Sequence, residues 1–361
     1  MSHIKILHGA DFHLGSSSAS ANEENSCRKF FLKASACDAA VLSGDIFDGG
    51  NVGTKFADMF LSFVRSCAVP VFYSCGNHDP YSSDIIKYCM ANAPDNLHIF
   101  GCREIECFTL ERLNTKIYGI SFFSEYEPKT LLPNDFRADG NYINIFCVHG
   151  DVNNANSVYN PLSALSLSKC GFNYAALGHM HEFSDLKRVG NTFYAYSGII
   201  QGRGFDECGE KGFIEAVVSD RKTEINFIVC SQSKYIRLDV NISGICSYYE
   251  LTNKLLTLLV SSNDSYSITL VGENSIDAFT DLDYIYTSLS EYNIKITDKS
   301  AVKFEAKKYC RDKTLSGFCA AETLKRINDK KEDEEYTVYV RYTKKALKDQ
   351  YKITANIDLN P

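Results

Sequence analysis

Five of the eight histidines follow short apolar segments and stand beside other side chains that can bind a cation. Asp11 and His13 are separated by one residue, and so are His179 and His181. On an extended backbone the side chains of each pair project to the same side. Together with residues at three other segment ends, the candidate metal ligands are Asp11, His13, Asp45, Asn77, His149, His179 and His181.

These candidate ligands supply nitrogen and oxygen but no sulfur. Such a set suits manganese, iron or a catalytic zinc and disfavours a zinc site built from thiolates. Seven ligands suffice for two cations if one carboxylate bridges them. Two cations about 3.5–4 Å apart can clamp the attacking and leaving oxygens of a phosphoryl transfer and can make water nucleophilic at neutral pH. The pattern therefore predicts phosphoester chemistry.

His78 follows the candidate ligand Asn77 but is not needed as a ligand. It is free to protonate the leaving oxygen, a contribution of about 10²–10⁴ in rate. We expect Asp79 to hold either the His78 imidazole or the turn, and Asp48 to buttress the site, although a purely local role stays open for both. Structural or surface roles are expected for His3, His8 and His98.

The candidate ligands end apolar segments that are rich in β-branched and aromatic residues, as strands are. The segments are IKILHGAD, AAVLSGDIFD, VPVFYSCGNHD, INIFCVHGD and YAALGHMH. Amphipathic stretches at 54–68 and 82–93 predict intervening helices, so this part of the chain is expected to be an α/β domain with a largely parallel sheet. Because the carboxyl ends of parallel strands share one edge, we expect the candidate ligands to meet there.

Glycines stand directly beside three candidate ligands, at Gly44, Gly76 and Gly150. A chain that turns sharply against a metal site needs positions without a Cβ. Further strands are predicted at NTFYAYSG, GFIEAVVS and EINFIVC. Little helical sequence separates these later strands, which favours a second, partly antiparallel sheet.

A different pattern of strand, helix, strand, helix and strand begins after residue 231. We predict a domain at 1–231 that carries the candidate ligands, a small α/β domain at 232–310 and a C-terminal helical segment at 311–361. The charge cluster KRINDKKEDEEY is interpreted as a solvated surface of that segment.

The composition is that of an ordinary globular protein, with 45% apolar and 23% charged residues. The net charge of −7 provides no overall basic field for nucleic acid, although bound cations would offset part of it. None of the fourteen cysteines forms a C-x-x-C pair, which predicts free thiols. No signal peptide and no apolar run of about 20 residues is found, so we expect a cytoplasmic protein with no membrane association.

The segment ends also carry a family resemblance. In order, DFH, GDIFD, GNHD, VHG and GHMH resemble the five motifs of the calcineurin-like metallophosphoesterases. ILHGADFHLGS, PVFYSCGNHDPY and YSGIIQGRGFDECGEKGF are most similar to the SbcD-type exonucleases of double-strand-break repair. The resemblance implies a metallophosphoesterase-type four-layer β-sandwich flanked by helices, followed by a small α/β capping domain.

The same resemblance implies a division of the ligands. One metal would be held by Asp11, His13, Asp45 and His181, and the other by Asp45, Asn77, His149 and His179. His78 would be the catalytic acid and manganese the preferred metal. Arg203 is a candidate phosphate contact, with a surface ion pair as the alternative.

The resemblance further implies DNA as substrate, a homodimer, and an SbcC-like coiled-coil SMC-type ATPase as partner, docked on the C-terminal segment. Two other functions stay open. One is a phosphoesterase acting on nucleotides or cyclic nucleotides, and the other is a structural subunit of an ATPase complex. A phosphoprotein phosphatase is disfavoured because FDGG lacks an Arg and the GNHD motif ends in Asp79 instead of Glu.

Overall fold

A computed structural model describes residues 2–16, 21–49, 52–274 and 282–302, with isolated helical positions at 318, 321, 322 and 325. The chain divides into two compact units, Met1–Lys234 and Tyr235–Pro361. This division falls three residues after the predicted boundary at 231. The predicted helical segment at 311–361 lies outside the described residues apart from those four positions.

The first unit is built from short strands and four helices in its described residues. Its strands are β1 (His3–Gly9), β2 (Ala39–Leu42), β3 (Val71–Tyr73), β4 (Leu97–Ile99), β5 (Glu106–Leu110), β6 (Thr115–Ile120), β7 (Ile143–His149), β8 (Asp151–Val152), β9 (Pro161–Leu162), β10 (Tyr174–Gly178), β11 (Lys187–Val189), β12 (Thr192–Tyr196), β13 (Gly212–Ser219) and β14 (Thr223–Val229). Its helices are α1 (Ala21–Ala34), α2 (Thr54–Ser66), α3 (Asp84–Ala91) and α4 (Ala164–Lys169), and Glu111–Leu113 adds one 3-10 turn.

Twelve of these strands form two six-stranded mixed sheets, and β8 and β9 form a separate parallel pair. The first has the order β14-β13-β1-β2-β3-β4. Strands β1 to β4 are parallel to one another, β13 is antiparallel to β1, and β14 is antiparallel to β13. The second has the order β11-β12-β10-β7-β6-β5, with β6, β7, β10 and β12 parallel and antiparallel strands at both edges. The expected second sheet is present, but β13 and β14 extend the first sheet instead of joining it.

The alternation of side chains along each strand divides the core into layers. In β1, Ile4 and Ile6 lie in the core between the two sheets, whereas Leu7 packs with the helices α1 to α3. In β7, Ile145 belongs to the core between the sheets, and Phe146 belongs to a third core on the outer face of the second sheet. Helices, two sheets and an outer layer therefore form the predicted four-layer fold, and the mixed α/β fold class is confirmed.

Local sequence accounts for the helix that follows the GNHD motif. Ser83 caps α3, since its hydroxyl accepts a hydrogen bond from the N–H of Ile86 at 3.4 Å. Ile85, Ile86 and Cys89 form the buried face of the helix. The loop before α3 is thereby anchored at the point where the chain leaves the candidate site.

The second unit matches the predicted pattern closely in its described residues. Its elements are β15 (Tyr235–Asn241), α5 (Tyr248–Leu256), β16 (Ser265–Val271), β17 (Glu273–Asn274), α6 (Asp283–Ser288), β18 (Asn293–Asp298) and β19 (Ala301–Val302). A parallel sheet with the order β15-β16-β18 packs on both helices through Leu251, Tyr266 and Ile285. The β17 and β19 strands form a separate short pair.

Two further features concern the chemistry of the chain. The twelve cysteines in the described residues carry free thiols, as the sequence predicts.

None of the helices in the described part of the chain has both the length and the apolar composition to cross a bilayer.

Candidate metal centre

All seven candidate ligands lie at the carboxyl ends of strands, but these strands belong to two sheets. Four of the ligands follow β1, β2 and β3 of the first sheet, and three end or follow β7 and β10 of the second. The expectation of a single sheet edge is therefore wrong. The two sheets pack closely here, since a Cβ on Gly178 would collide with the carbonyl of Ser43. The Ser43 hydroxyl also donates to the Ala176 carbonyl at 2.9 Å.

The backbone at several candidate ligands adopts the left-handed conformation that is uncommon for residues other than glycine. The φ angles are 55° for Asp11, 49° for His13, 54° for Asp45 and 106° for His179. Hydrogen bonds between the β1 and β2 loops hold this geometry, because Asp11 N donates to Gly44 O and His13 N donates to Asp45 O, both at 3.0 Å. Strain of this kind persists only where the surroundings impose it, and it clusters at functional sites.

Two of the predicted glycines are required by close approach. A Cβ at Gly44 would collide with the His149 imidazole, and a Cβ at Gly76 would collide with the Asp45 carboxylate. Gly44 also has a φ of 91°. A larger residue at either position would displace a candidate ligand.

The first cluster of candidate ligands consists of Asp11, His13 and His181. His13 donates through Nδ1 to Asp48 at 2.9 Å, and His181 donates through Nδ1 to Glu207 at 2.8 Å. A carboxylate accepts these bonds, so each Nδ1 carries a proton, and in the neutral ring each Nε2 presents a lone pair. The two Nε2 atoms face each other at 3.2 Å. Such carboxylate–histidine pairs are the usual support of metal-binding imidazoles, and a cation fits here.

The second cluster consists of Asp11, Asp45 and His149. His149 donates through Nδ1 to the Ser43 carbonyl at 2.9 Å, so its Nε2 also presents a lone pair. This Nε2 faces Asn77 Oδ1 at 2.9 Å and Asp45 Oδ2 at 3.5 Å. Three acceptors thus converge in a buried place, and a second cation would satisfy them. Asp11 belongs to both clusters, whereas the resemblance implies Asp45 as the shared ligand.

Burial and mutual charge shift the pKa values in these clusters. Burial, followed by the charge of Asp45, raises the pKa of Asp11. Burial also acts to raise the pKa of Asp45, but the neighbouring His149 and His13 outweigh it and the pKa is lowered. Burial lowers the pKa of the His13 and His149 imidazoles, and it lowers that of His179 to about 4. The imidazoles are therefore neutral at pH 7, which is the form that binds metal.

His179 contributes to the centre through its backbone as well as its ring. Its N–H donates to both carboxylate oxygens of Asp11 at 3.1 Å. Its imidazole lies edge-on to that of His149, with ring centroids 5.2 Å apart, and against Tyr159 at 4.9 Å. The structure thus brings all seven candidate ligands into one cluster of contacts.

His78 stands at the open side of this centre with 45% of its side chain exposed. Its N–H donates to Asp45 Oδ1 at 2.9 Å, and its Nδ1 lies 3.9 Å from Asp48 Oδ1. His78 and Asn77 both line a cavity of about 480 Å³. The His78 ring also lies edge-on to that of His13, with centroids 4.8 Å apart, so a substrate in this cavity would meet a partly exposed imidazole in a defined position.

Asp79 holds the turn and not the His78 ring. Its buried carboxylate accepts hydrogen bonds from the backbone N–H groups of Gly76, Asp45, Ile46 and Phe47 at 2.5–3.1 Å, and from the Tyr73 hydroxyl. Burial and the nearby Asp45 raise its pKa to about 7. Asp79 therefore ties the second and third motif loops together.

Glu207 is the residue that the sequence analysis missed. It accepts from His181, and Arg203 Nη2 also donates to its Oε1 at 2.8 Å. Arg203 Nη1 in turn donates to Asp48 Oδ1 at 3.3 Å, so one guanidinium joins the carboxylates behind His13 and His181. The only sequence signal for Glu207 was its place in the stretch that extends the family resemblance. The phosphate contact predicted for Arg203 stays a prediction.

The remaining histidines lie where the sequence placed them, outside the centre. His8 is buried between the sheets, bonded to the Tyr174 hydroxyl at 2.9 Å and the Leu177 carbonyl at 3.1 Å. His98 stacks on Phe72 with ring centroids 5.2 Å apart. His3 is exposed at the start of β1.

Residues 4–183 match a family model described as calcineurin-like phosphoesterase. This part of the chain belongs to that family. An uncharacterized metallophosphoesterase of Bacillus subtilis (strain 168), YhaO, is 30% identical over 189 residues, which are 49% of this chain and 44% of that protein. The chain thus covers less than half of that relative's length.

Two solved structures are similar to this chain at low identity. One is a dimetal phosphatase from Danio rerio, with a TM-score of 0.41, 11% identity, and coverage of 64% of this chain and 100% of that one. The other is the purple acid phosphatase PPD1 from yellow lupin (Lupinus luteus), with a TM-score of 0.41, 13% identity, and coverage of 64% and 53%.

Proposed function

We propose that the protein is a two-metal DNA exonuclease that hydrolyses phosphodiester bonds and prefers manganese. The observation that carries the proposal is the convergence of carboxylate and imidazole groups in two adjoining clusters, with the exposed His78 beside them. The resemblance of the loops to SbcD-type nucleases supports DNA as the substrate class. Two bound cations would neutralise the phosphoryl oxygens and supply an activated water.

Three residues of the chain have further roles in the proposed reaction. His78 faces the cavity and donates a proton to the departing oxygen. Asp48 lies within reach of the His78 imidazole and orients it while it also holds His13. Asp79 bonds to both motif loops, so that His78 and the candidate metal ligands keep fixed positions relative to each other.

Partners belong to the same proposal. We expect a homodimer that works with an SbcC-like coiled-coil SMC-type ATPase in the cytoplasm, the ATPase being docked on residues 311–361. Because the chain has a net charge of −7, contacts to DNA would depend on bound cations and on local Lys and Arg side chains.

A second candidate function is the hydrolysis of nucleotides or cyclic nucleotides. The cavity of about 480 Å³ beside His78 favours it, because this volume is in the range of small-molecule sites. A purely structural subunit is disfavoured, since burying several carboxylates and imidazoles without a cation is costly.

The test is hydrolysis of linear duplex DNA and of a cyclic nucleotide by the purified chain with manganese, together with quantification of bound metal. His78→Ala and Asp45→Ala are compared with His3→Ala, a histidine variant outside the centre. The proposal is supported if wild type and His3→Ala degrade DNA and if His78→Ala and Asp45→Ala do not. Cleavage of the cyclic nucleotide with intact DNA would favour the second candidate, and protein without bound metal would overturn both.

A further inference from the structure

Two tyrosines form a stacked pair at the edge of the metal centre. Tyr126 and Tyr159 have ring centroids 5.9 Å apart and an interplanar angle of 30°. Tyr126 is 52% exposed, and Phe123 in the same loop is 57% exposed. Exposed aromatic side chains that lie together beside a candidate active site can mark a ligand-binding surface. We call Phe123, Tyr126 and Tyr159 the aromatic shelf.

The aromatic shelf is held firmly by the backbone. Glu127 N donates to Val158 O at 2.9 Å, and Asn160 N donates to Glu127 O at 2.7 Å. The Asn160 side chain donates to the His149 carbonyl at 2.7 Å. Within the loop, Phe123 N donates to the Glu127 carboxylate at 3.0 Å. The shelf therefore keeps a fixed position relative to the candidate ligand His149.

A continuous series of ring contacts joins the aromatic shelf to the metal centre. Tyr159 packs on His179 at 4.9 Å, and His179 meets His149 at 5.2 Å. Tyr159 also lines the cavity that contains His78 and Asn77. A phosphate at the metal centre would therefore place its attached nucleoside against Tyr159.

The charge of the cavity indicates which part of a nucleotide lies there. Its lining residues are Gly49, Asn77, His78, Pro80, Glu125 and Tyr159, with no lysine or arginine among them. Glu125, the neighbour of Tyr126 in the chain, contributes the one carboxylate among these lining residues. A carboxylate repels phosphate groups but tolerates a neutral heterocycle or accepts from its amino group.

We propose that the aromatic shelf is a nucleobase-binding subsite, which stacks the base of an unpaired nucleotide next to the scissile phosphate. This inference deepens the proposed function and rests on it. Stacking on an aromatic side chain tolerates all bases, because each has a π-face, so the subsite would favour single-stranded ends without selecting a sequence.

The test compares two esters with the same leaving group, thymidine 5′-(p-nitrophenyl phosphate) and methyl p-nitrophenyl phosphate, with manganese. The ratio of their kcat/KM values isolates the contribution of the base. We expect Tyr126→Ala and Tyr159→Leu to lower this ratio by about 5- to 100-fold, from the usual loss of base stacking. Tyr159→Phe should retain it. Leu165→Ala, which removes another exposed apolar side chain at 62% exposure, is the matched control and should not change it.

Two results would overturn the subsite: a kcat/KM ratio near one in wild type, or an unchanged ratio in Tyr159→Leu. Hydrolysis of both esters would still support the proposed phosphodiesterase activity. If wild type hydrolysed neither ester, the proposed function would fail first. Calorimetric binding of thymidine 5′-monophosphate to wild type and to Tyr126→Ala then decides the subsite by itself. Equal affinity would refute it, and weaker binding by the variant would support it. Unchanged thermal melting of each variant confirms folding.

Discussion

The Nε2 atoms of His13 and His181 face each other at 3.2 Å across the end of two sheets. In its neutral form each ring donates through Nδ1 to a carboxylate, Asp48 or Glu207, and presents the lone pair of Nε2 to the other ring. Two lone pairs held this close repel each other unless a cation lies between them. The pair is therefore suited to hold a metal, and we expect the groups behind it to determine how well a metal binds.

Arg203 should control metal affinity without touching the metal. Its guanidinium joins Asp48 and Glu207, so its removal would release both imidazole supports. We expect Arg203→Ala to weaken manganese binding by about 10- to 100-fold at one of two sites, as is typical for such supporting contacts. Isothermal titration with manganese measures this.

Arg203→Lys is the informative companion variant. Lysine keeps the charge but lacks the fork that reaches two carboxylates at once, so affinity should recover only in part. Full recovery would show that charge alone matters. Wild-type affinity in Arg203→Ala would mean that the two imidazoles hold their positions unaided.

Gly44 should be irreplaceable for steric reasons. Gly44→Ala combines a φ of 91° with a collision against His149, whereas Gly209→Ala has a similar φ of 85° and open space within 4 Å. Both changes carry the cost of a left-handed alanine, about 1 kcal/mol or somewhat more. Only Gly44→Ala should also lose bound metal and activity. Equal metal content in the two proteins would contradict the packing argument.

The rate loss caused by removing His78 should be larger for a substrate with a poorer leaving group. An alcohol oxygen of DNA needs a proton to depart, whereas p-nitrophenolate leaves as a stable anion. We expect His78→Ala to slow DNA hydrolysis by about 10²–10⁴ and to change hydrolysis of a p-nitrophenyl diester far less. Steady-state rates on both substrates, at equal metal content, measure the difference. An equal loss on both would assign His78 to substrate or metal binding.

Buried His8 should make the protein less stable in acid. Burial lowers the pKa of His8 to about 3, whereas the unfolded chain titrates near 6.5. The unfolded state therefore binds more protons between these values, so stability is full above pH 6.5 and falls as the pH decreases towards 3. The slope for one such group is about 1.4 kcal/mol per pH unit.

The comparison with His8→Gln isolates this effect. An amide can still donate to Leu177 and accept from Tyr174, but it does not titrate. We expect the free energy of unfolding in urea to fall less steeply in the variant between pH 6 and pH 4, measured without metal. Parallel slopes would assign the acid sensitivity to the other buried imidazoles.

Much of the fold follows from local pattern. The strands that end in candidate ligands, the helices near 54–68 and 82–93, and the strand–helix alternation of the second unit all lie where apolar periodicity places them. Turn-forming glycines mark the strand ends because close approach excludes a Cβ there. The short edge strands β4, β5 and β11 were not predicted, since their few residues lack a clear apolar alternation, and the interior strand β6 was also missed.

The sequence by itself determined the types and order of the candidate ligands, because a metal centre needs lone pairs at fixed places and each motif ends a strand. Tertiary structure alone decided that two sheets contribute to the centre. It also decided that Arg203 and Glu207, which come late in the sequence of the first unit, contact the residues of the centre. His13 and His181 are 168 positions apart. Periodicity describes neighbours along the chain, so a contact at that separation is set by how the sheets pack.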